Sequence, residues 1–217
     1  MPLAIFDLDH TLLHGDSDHA WGDFLVERGA VDGEHYRREN DRYYAEYQSG
    51  TLDIRQYLAF ALAPLARVDR ATLTAWHADY MQTKVQPMIT PAARALVEHH
   101  RSRGDTLLII TATNSFITTP IAREFDVPHL LATEPEIVDG RYTGRVTGTP
   151  CYREGKLVRL HAWLTQHGHT LDGSWCYSDS HNDLPLLQAA AHPVAVNPDD
   201  TLRRVATERG WRVMHLD

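Results

Sequence analysis

The chain has 217 residues, a formal net charge of -8 and only two cysteines. The acidic balance argues against nucleic acid or an anionic membrane as the main partner, and no apolar run approaches the ~18 residues of a membrane span. Two cysteines make no disulfide framework, and the N-terminus lacks a basic, apolar leader, so we expect a cytoplasmic protein. The 14 histidines are scattered without HExxH or CxxC spacing, so we expect no zinc site.

The first apolar run, Leu3–Phe6, leads directly into two carboxylates, Asp7 and Asp9. Residues two apart in a strand point to the same side, so both side chains start on one face at the carboxyl end of the strand. Open α/β sheets place their sites at that edge. Carboxylates this close repel each other unless a cation or a ligand lies between them. The pattern favours a chemical site over the alternative, a strand end with solvated aspartates.

The segment from 15 to 88 has helical patterning and no clear strand. Leu58, Leu62 and Leu65 share a helical spacing, and Thr72–Met81 predicts another helix. A stripe of aromatic and amide side chains also recurs at helical offsets: Tyr36, Asn40, Tyr43, Tyr44 and Tyr47. Such a stripe indicates either packing between helices or a wall that faces a ligand.

After this segment, apolar strand-like runs alternate with helical patterns. The predicted strands are Thr106–Ile110, His129–Ala132, Ser174–Tyr177, Pro193–Val196 and Arg212–Leu216. The predicted helices are Pro91–Arg103, Ser115–Phe125, Lys156–His167, Leu184–Ala190 and Thr201–Arg209. Residues 137–146 predict a hairpin with an Asp-Gly turn. The alternation indicates an α/β fold with a mainly parallel sheet covered on both faces.

Polar groups follow two of these apolar runs, and a lysine begins one of the predicted helices. Thr111 ends the second strand, and Asn114 begins a helix whose free N–H groups suit an anion. Lys156 precedes an amphipathic segment, and a lysine in that position is usually a surface residue. Asp179 and Asp183 lie four apart across a strand-to-helix turn. They offer the hard oxygen ligands that Mg²⁺ takes beside a substrate phosphate.

These four segments together resemble the haloacid dehalogenase superfamily of aspartate-nucleophile phosphotransferases. The order is Asp7-x-Asp9-x-Thr11, then Thr111, then Lys156, then the acidic turn Asp179–Asp183, and it spans nearly the whole chain. The closest likeness is to subfamily IB, the phosphoserine-phosphatase-like branch. The resemblance implies a Rossmann-like, mainly parallel sheet with an inserted all-helical cap of type C1. Residues 1–14 and 89–217 would then form the α/β core domain, and residues 15–88 the helical cap domain.

The resemblance also implies roles for individual residues. Asp7 would be the catalytic nucleophile and Asp9 the general acid and base. The phosphate would be held by Thr111, Ala112 and Lys156. Mg²⁺ would be held by Asp7, Asp179 and the backbone carbonyl of Asp9. Thr11, Asn182 and Asp183 would support these groups.

The implied function is a Mg²⁺-dependent phosphatase that hydrolyses a small phosphate ester through an aspartyl-phosphate. Asp9 favours this reaction over dehalogenation, because a halide leaving group needs no proton. Two alternatives stay open: a phosphomutase or phosphotransferase, and a catalytically idle ligand-binding module. Oligomeric state cannot be predicted from these residues.

The substrate is less clearly indicated. Thr111 is followed by Ala112 and Thr113, where phosphoserine phosphatases usually have Ser-Gly-Gly. Asp16 resembles the acid that receives the substrate amine in related enzymes, which suggests histidinol phosphate, slightly preferred, or phosphoserine. The alternative is that Asp16 or Ser17 caps the first helix. Four arginines in the helical segment are expected to be largely solvated, although one could reach a substrate carboxylate: Arg37, Arg38, Arg42 and Arg55.

Overall fold

A single sheet forms the centre of the computed structural model, which describes residues 1–216. Its strands are β1 Leu3–Phe6, β2 Thr106–Asn114, β3 His129–Val138, β4 Arg141–Thr147, β5 Trp175–Ser178, β6 His192–Val196 and β7 Arg212–Met214. Their order across the sheet is β4-β3-β2-β1-β5-β6-β7. Every neighbouring pair is parallel except the antiparallel hairpin of β3 and β4. This is the α/β architecture that the alternating pattern predicts.

The helices fall into two groups. Four lie within residues 15–88: α1 Ser17–Glu27, α2 Gly33–Ser49, α3 Ile54–Arg67 and α4 Arg70–Tyr80. A π-helical turn, Met81–Val85, and a 3₁₀ turn, Gln86–Met88, complete this part of the chain. The helices that alternate with the strands are α5 Pro91–Ser102, α6 Ser115–Glu124, α7 Glu154–His167, α8 Leu184–Ala189 and α9 Asp200–Arg209. None of the helices within residues 1–216 is both long and apolar enough to cross a bilayer.

Strand β1 lies at the middle of the sheet and is buried on both faces. Leu3 and Ile5 pack into the hydrophobic cluster on one side, and Ala4 and Phe6 into the cluster on the other. Such burial explains why the strand is a continuous apolar run rather than an alternating one. Strand β2 pairs with one edge of β1, and β5 pairs with the other edge. The carboxyl end of β1 is therefore a topological switch point, where open sheets bind ligands.

The helical segment, residues 15–88, leaves and rejoins the sheet at one place. Leu13 forms an antiparallel bridge with Ile89, and the N–H of His14 donates to the carbonyl of Met88 over 2.7 Å. These two contacts join the ends of the helical segment. The segment contains helices and turns only, as its patterning predicts.

Most element boundaries match the sequence prediction within two residues. Strand β3, predicted to end at Ala132, runs on to Val138, where it forms the hairpin with β4. Strand β2 is also longer than predicted. It runs on to Asn114 because β3 pairs with it again, Asn114 with Thr133, after a shift in register. Thr111 therefore lies within the strand rather than after it. The predicted hairpin turn is confirmed: Asp139 and Gly140 have φ values of 48° and 75°, both left-handed as a tight hairpin requires.

Candidate active site

Asp7 extends β1 by one residue, and its carboxylate is buried. Its N–H donates to the carbonyl of Tyr177 on β5 over 2.9 Å, which fixes the backbone at the switch point. One carboxylate oxygen, Oδ1, accepts a hydrogen bond of 2.9 Å from Nζ of Lys156. The same Nζ donates to Oδ2 of Asp183 over 2.7 Å. Two predicted site segments thus meet at one buried ammonium group.

Lys156 is a buried residue, only 1 % exposed, and not the surface lysine that its sequence position usually indicates. Burial alone would lower the pKa of Lys156, but the carboxylates of Asp183 and Asp7 outweigh that effect and raise it. The side chain therefore carries a fixed positive charge beside Asp7. A buried lysine with two carboxylate partners is a strong anchor for an anion's oxygen atoms.

Gly155 allows the first turn of α7 to bring Lys156 close to Asp7 and Asp183. A Cβ atom at residue 155 would overlap the backbone carbonyl oxygen of Pro150. Backbone cannot move aside as a flexible side chain can, so only glycine fits here.

We expect Gly155→Ala to lower the free energy of unfolding by about 1–3 kcal/mol, because the new methyl group must displace the 150–155 loop. Turnover should fall together with stability, because the displaced loop positions Lys156. Gly33→Ala is the control, since its Cβ would meet only Val26 at an ordinary 3.4 Å. Urea denaturation and steady-state kinetics of both variants check this, and equal stability of the two would contradict it.

Asp179 follows β5 and is tied to the loop after β1 through Thr11. The Thr11 hydroxyl donates to Oδ1 of Asp179 over 3.1 Å and accepts the N–H of Asp179 over 3.0 Å. This reciprocal pair fixes the acidic turn against the first loop.

The carboxylates in this region are held at an electrostatic cost. Burial raises the pKa of Asp7 to about 8; Lys156 opposes the rise and Asp183 adds to it. Burial likewise raises the pKa of Asp179 well above its usual range, and the charge of Asp7 raises it further. A divalent cation bound between Asp7 and Asp179 would offset this repulsion, and carboxylate oxygens are ligands that Mg²⁺ accepts. Within residues 1–216 no three His, Cys, Asp or Glu side chains form a metal-binding cluster, so only a site that adds backbone and water oxygens fits here.

Asp9 makes hydrogen bonds through both carboxylate oxygens. Oδ1 accepts from the N–H of Ser17 over 2.6 Å, and Oδ2 accepts from the hydroxyl of Thr113 over 2.8 Å. Burial raises the pKa of Asp9 to about 6, the charge of Asp16 adds to the rise, and these hydrogen bonds oppose it. A carboxyl group with such a pKa can hold a proton or release it near neutral pH.

A cavity of about 580 Å³ opens onto Asp7 and Asp9. The core side of its wall consists of Thr111, Ala112, Thr113 and Tyr152. The helical segment supplies the rest: Asp16, Asp18, His19, Asn40, Tyr43, Tyr44, Tyr47, Leu52, Ile54 and Tyr57. The predicted phosphate-binding residues Thr111 and Ala112 thus share one cavity with both predicted catalytic acids.

The aromatic stripe of α2 proves to have both of its predicted roles. Tyr36 packs against Phe60, with ring centroids 4.4 Å apart, and lies outside the cavity. Tyr43, Tyr44 and Tyr47 line the cavity. Asp16 caps α1 by accepting the N–H of His19 over 2.8 Å, as one of its two alternatives predicts, and it also lies in the cavity wall.

Asn182 joins the acidic turn to the helical segment. Its Nδ2 donates to the carbonyl of Tyr47 over 3.1 Å, and its Oδ1 accepts from Nε of Arg153 over 2.9 Å. Arg153 in turn donates to the carbonyl of Gly50. These contacts hold the C-terminal end of α2 over the cavity.

The sequence analysis assigns no site role to several of these residues, among them Thr113, Tyr152, Arg153, Asp18 and Tyr57. Thr113 could have been found, since it lies two residues after Thr111 and therefore on the same face of the strand. Arg153 could not. It has φ 49° and ψ -120°, a conformation that disfavours ordinary residues, and only the folded chain shows its contacts.

A family model of haloacid dehalogenase-like hydrolases matches residues 4–188. The chain belongs to this family. Among curated proteins, a histidinol-phosphatase of Neisseria meningitidis serogroup C is 46 % identical, over 99 % of this chain and 98 % of that protein. A phosphoserine phosphatase of Mycobacterium tuberculosis is 32 % identical, over 97 % of this chain and 69 % of its own length.

Two solved structures of this fold are also similar. A Bordetella pertussis protein of unknown function superposes with a TM-score of 0.94 at 48 % identity, covering 100 % of this chain and 99 % of its own. A phosphoserine phosphatase with an analogue of the phospho-aspartyl intermediate gives a TM-score of 0.72 at 17 % identity, covering 100 % and 93 %. The second likeness concerns the fold alone. This haloacid dehalogenase-like hydrolase is a phosphatase of small phosphate esters, and the phosphomutase and idle-module alternatives are not favoured.

Proposed function

We propose that the protein is a Mg²⁺-dependent histidinol-phosphate phosphatase that works through an aspartyl-phosphate. The observation that carries the substrate assignment is the charge of the cavity wall. Within the described residues, that wall contains Asp16 and Asp18 beyond the catalytic pair, and no Lys or Arg. Histidinol phosphate has an amine and an imidazole and no carboxylate, which fits such a wall. The 46 % identity to a histidinol-phosphatase supports the same substrate.

The same charge pattern disfavours phosphoserine. Its carboxylate would enter a cavity with two further aspartates and no Lys or Arg, and His19 in the same wall already pairs with Asp41, Nε2 to Oδ1 2.9 Å. A buried charge without a partner is costly. The four arginines that sequence suggested as possible partners are all exposed, and none lines the cavity: Arg37, Arg38, Arg42 and Arg55. The enzyme would discriminate against phosphoserine because the carboxylate of that substrate would stay unpaired in the cavity.

The chain's own residues account for the proposed chemistry. Asp7 attacks the phosphorus atom, which divides the hydrolysis of an inert ester into two displacements. Asp9 gives a proton to the leaving alcohol and later takes one from water; the hydroxyl of Thr113 and the N–H of Ser17 hold its carboxylate in place. Lys156, Thr111 and Ala112 bind the phosphoryl oxygens as charge develops on them.

Mg²⁺ would be held by Asp7, Asp179 and the backbone carbonyl of Asp9, with water completing its coordination. When bound, it offsets the negative charges of the phosphoryl group and of the two carboxylates. Thr11 orients Asp179 through their reciprocal hydrogen bonds. Asp183 holds Lys156 from the opposite side to Asp7.

We also propose that residues 1–14 and 89–217 act as a core domain and residues 15–88 as its cap. The bridge of Leu13 with Ile89 joins the two ends of the segment. The contacts of Asn182 and Arg153 with α2 cover the cavity in this conformation. Opening of the cap would admit substrate, and closure would exclude water from Asp7.

Phosphate release from histidinol phosphate, phosphoserine and an aryl phosphate tests the proposed function, each with Mg²⁺ and with a chelator. We expect kcat/KM for histidinol phosphate to exceed that for phosphoserine by at least about 100-fold, because the carboxylate of phosphoserine lacks a partner. The chelator should abolish turnover of all three. Equal rates on histidinol phosphate and phosphoserine would refute the substrate assignment, and full activity in the chelator would refute the metal requirement.

A further inference from the structure

The two acids that the helical segment contributes to the cavity have different surroundings. Asp16 caps α1, so one of its carboxylate oxygens already accepts the N–H of His19. Asp18, in the first turn of the same helix, lies in the cavity wall together with Tyr57 of α3. The Tyr57 hydroxyl lowers the pKa of Asp18, so Asp18 faces an aromatic side chain from a different helix.

The start of α1 lies directly against the catalytic acid. Asp9 accepts the N–H of Ser17, the residue between Asp16 and Asp18, over 2.6 Å. Asp9, Asp16 and Asp18 all line the same cavity. A substrate held at Asp9 therefore lies within reach of both acids of α1.

The cavity wall that includes Asp18 is largely aromatic and, among the described residues, contains no Lys or Arg. Burial raises the pKa of Asp18 to about 7, and the charges of Asp16 and Asp9 add to the rise. Tyr57 packs edge-on against Tyr43, with ring centroids 5.3 Å apart, and both rings line the cavity. An acid in an aromatic wall suits a flat, cationic ring that bears an N–H group, because the tyrosine faces and the carboxylate both attract it.

We propose that Asp18, which shares the cavity wall with Tyr43 and Tyr57, is the specificity-determining residue for the ring of the substrate. Its carboxylate accepts a hydrogen bond from the N–H of a protonatable heteroaromatic ring, while the substrate amine lies nearer to Asp16. This assignment rests on the proposed function, and it adds the residue that distinguishes a ring-bearing amine from a simple amino-alkyl phosphate.

The test compares two substrates in several variants of the full chain with Mg²⁺. Histidinol phosphate carries both the amine and the ring, and phosphoethanolamine carries the amine alone. The measured quantity is the ratio of kcat/KM for the first to kcat/KM for the second. We expect Asp18→Asn to lower this ratio by about 10- to 100-fold and Tyr57→Phe by about 3- to 10-fold, as for the loss of a charged and a neutral hydrogen bond.

The matched control is Asp23→Asn, which removes an acid from the same helix. Asp23 lies outside the cavity wall, and its Oδ2 lies 3.6 Å from Nδ1 of His19. The ratio of the two kcat/KM values in Asp23→Asn should stay at the wild-type value. Binding of the product histidinol, measured by calorimetry, should weaken in Asp18→Asn and not in the control, which separates recognition from turnover.

The possible failures are distinguishable. Wild-type enzyme that hydrolyses both substrates equally well would overturn the proposed substrate and this inference together. Wild-type preference for histidinol phosphate that persists in Asp18→Asn would overturn the inference alone. A ratio that falls equally in Asp18→Asn and Asp23→Asn would also overturn it, because the effect would then come from the charge of the helix and not from a contact in the cavity.

Discussion

Replacement of Asp7 by asparagine is expected to lower kcat by more than about 10⁴-fold, as removal of a nucleophile does in other enzymes. An amide has almost no nucleophilicity toward phosphorus, so the covalent intermediate cannot form. Phosphate release under saturating histidinol phosphate measures the loss. Asp172→Asn, which changes an exposed acid far from the cavity, should retain wild-type turnover.

The folded state should tolerate this change. Burial raises the pKa of Asp7 from 3.8 to about 8, so in the metal-free protein its ionised form is disfavoured by folding. Folding therefore favours the protonated form of Asp7. The stability that this form contributes is fully present below pH 3.8 and is lost as the pH rises toward 8, where Asp7 ionises in the folded protein. Asparagine does not ionise, so Asp7→Asn in chelator should melt no lower than wild type at pH 8. Wild-type turnover by Asp7→Asn would disprove the mechanism, and a large fall in melting temperature would disprove the electrostatic account.

The second large effect is expected from Lys156→Met. Nζ of Lys156 is the shared partner of Asp7 and Asp183, at 2.9 and 2.7 Å, and the side chain is buried. Its removal leaves two buried carboxylates without a counter-charge, which costs about 3–5 kcal/mol of unfolding free energy. Turnover should also fall by at least about 100-fold, because a charged phosphate-binding group is lost. Urea denaturation and steady-state kinetics measure the two effects.

Lys84→Met is the matched control for this prediction. Nζ of Lys84 pairs with Oε1 of Glu27 over 2.7 Å, but Glu27 is 59 % exposed. A solvent-exposed pair contributes about 1 kcal/mol or less. The double variant Lys156→Met with Asp183→Asn should regain stability without regaining turnover, since it removes one of the two unpaired charges. Equal stability of Lys156→Met and Lys84→Met would show that the buried ion pair does not stabilise the fold.

The sequence was sufficient for the α/β class and for the order of elements, because both depend on local patterns. Continuous apolar runs such as Leu3–Phe6 predict buried parallel strands, and the helical periodicity of residues 15–88 predicts helices there. The four motif segments also predict the family, since each consists of a few neighbouring residues. The position of each acid after a strand predicts that the acids meet, because parallel strands end at one edge of a sheet.

The contacts between distant residues depended on the tertiary structure. Lys156 looks like a surface residue in sequence, and only the close approach of residue 155 to Pro150 shows why it is buried beside Asp7. Thr111 lies within β2 rather than at its end because β3 pairs with β2 a second time.

The substrate cavity was also beyond the sequence, because α1, α2 and α3 each contribute to its wall and their packing is long-range. Sequence determined which chemistry this chain performs, since nucleophile, acid and phosphate ligands are short motifs. The tertiary structure decided which charges surround the substrate, because Asp18 and Tyr57 lie 39 residues apart and meet only when their helices pack.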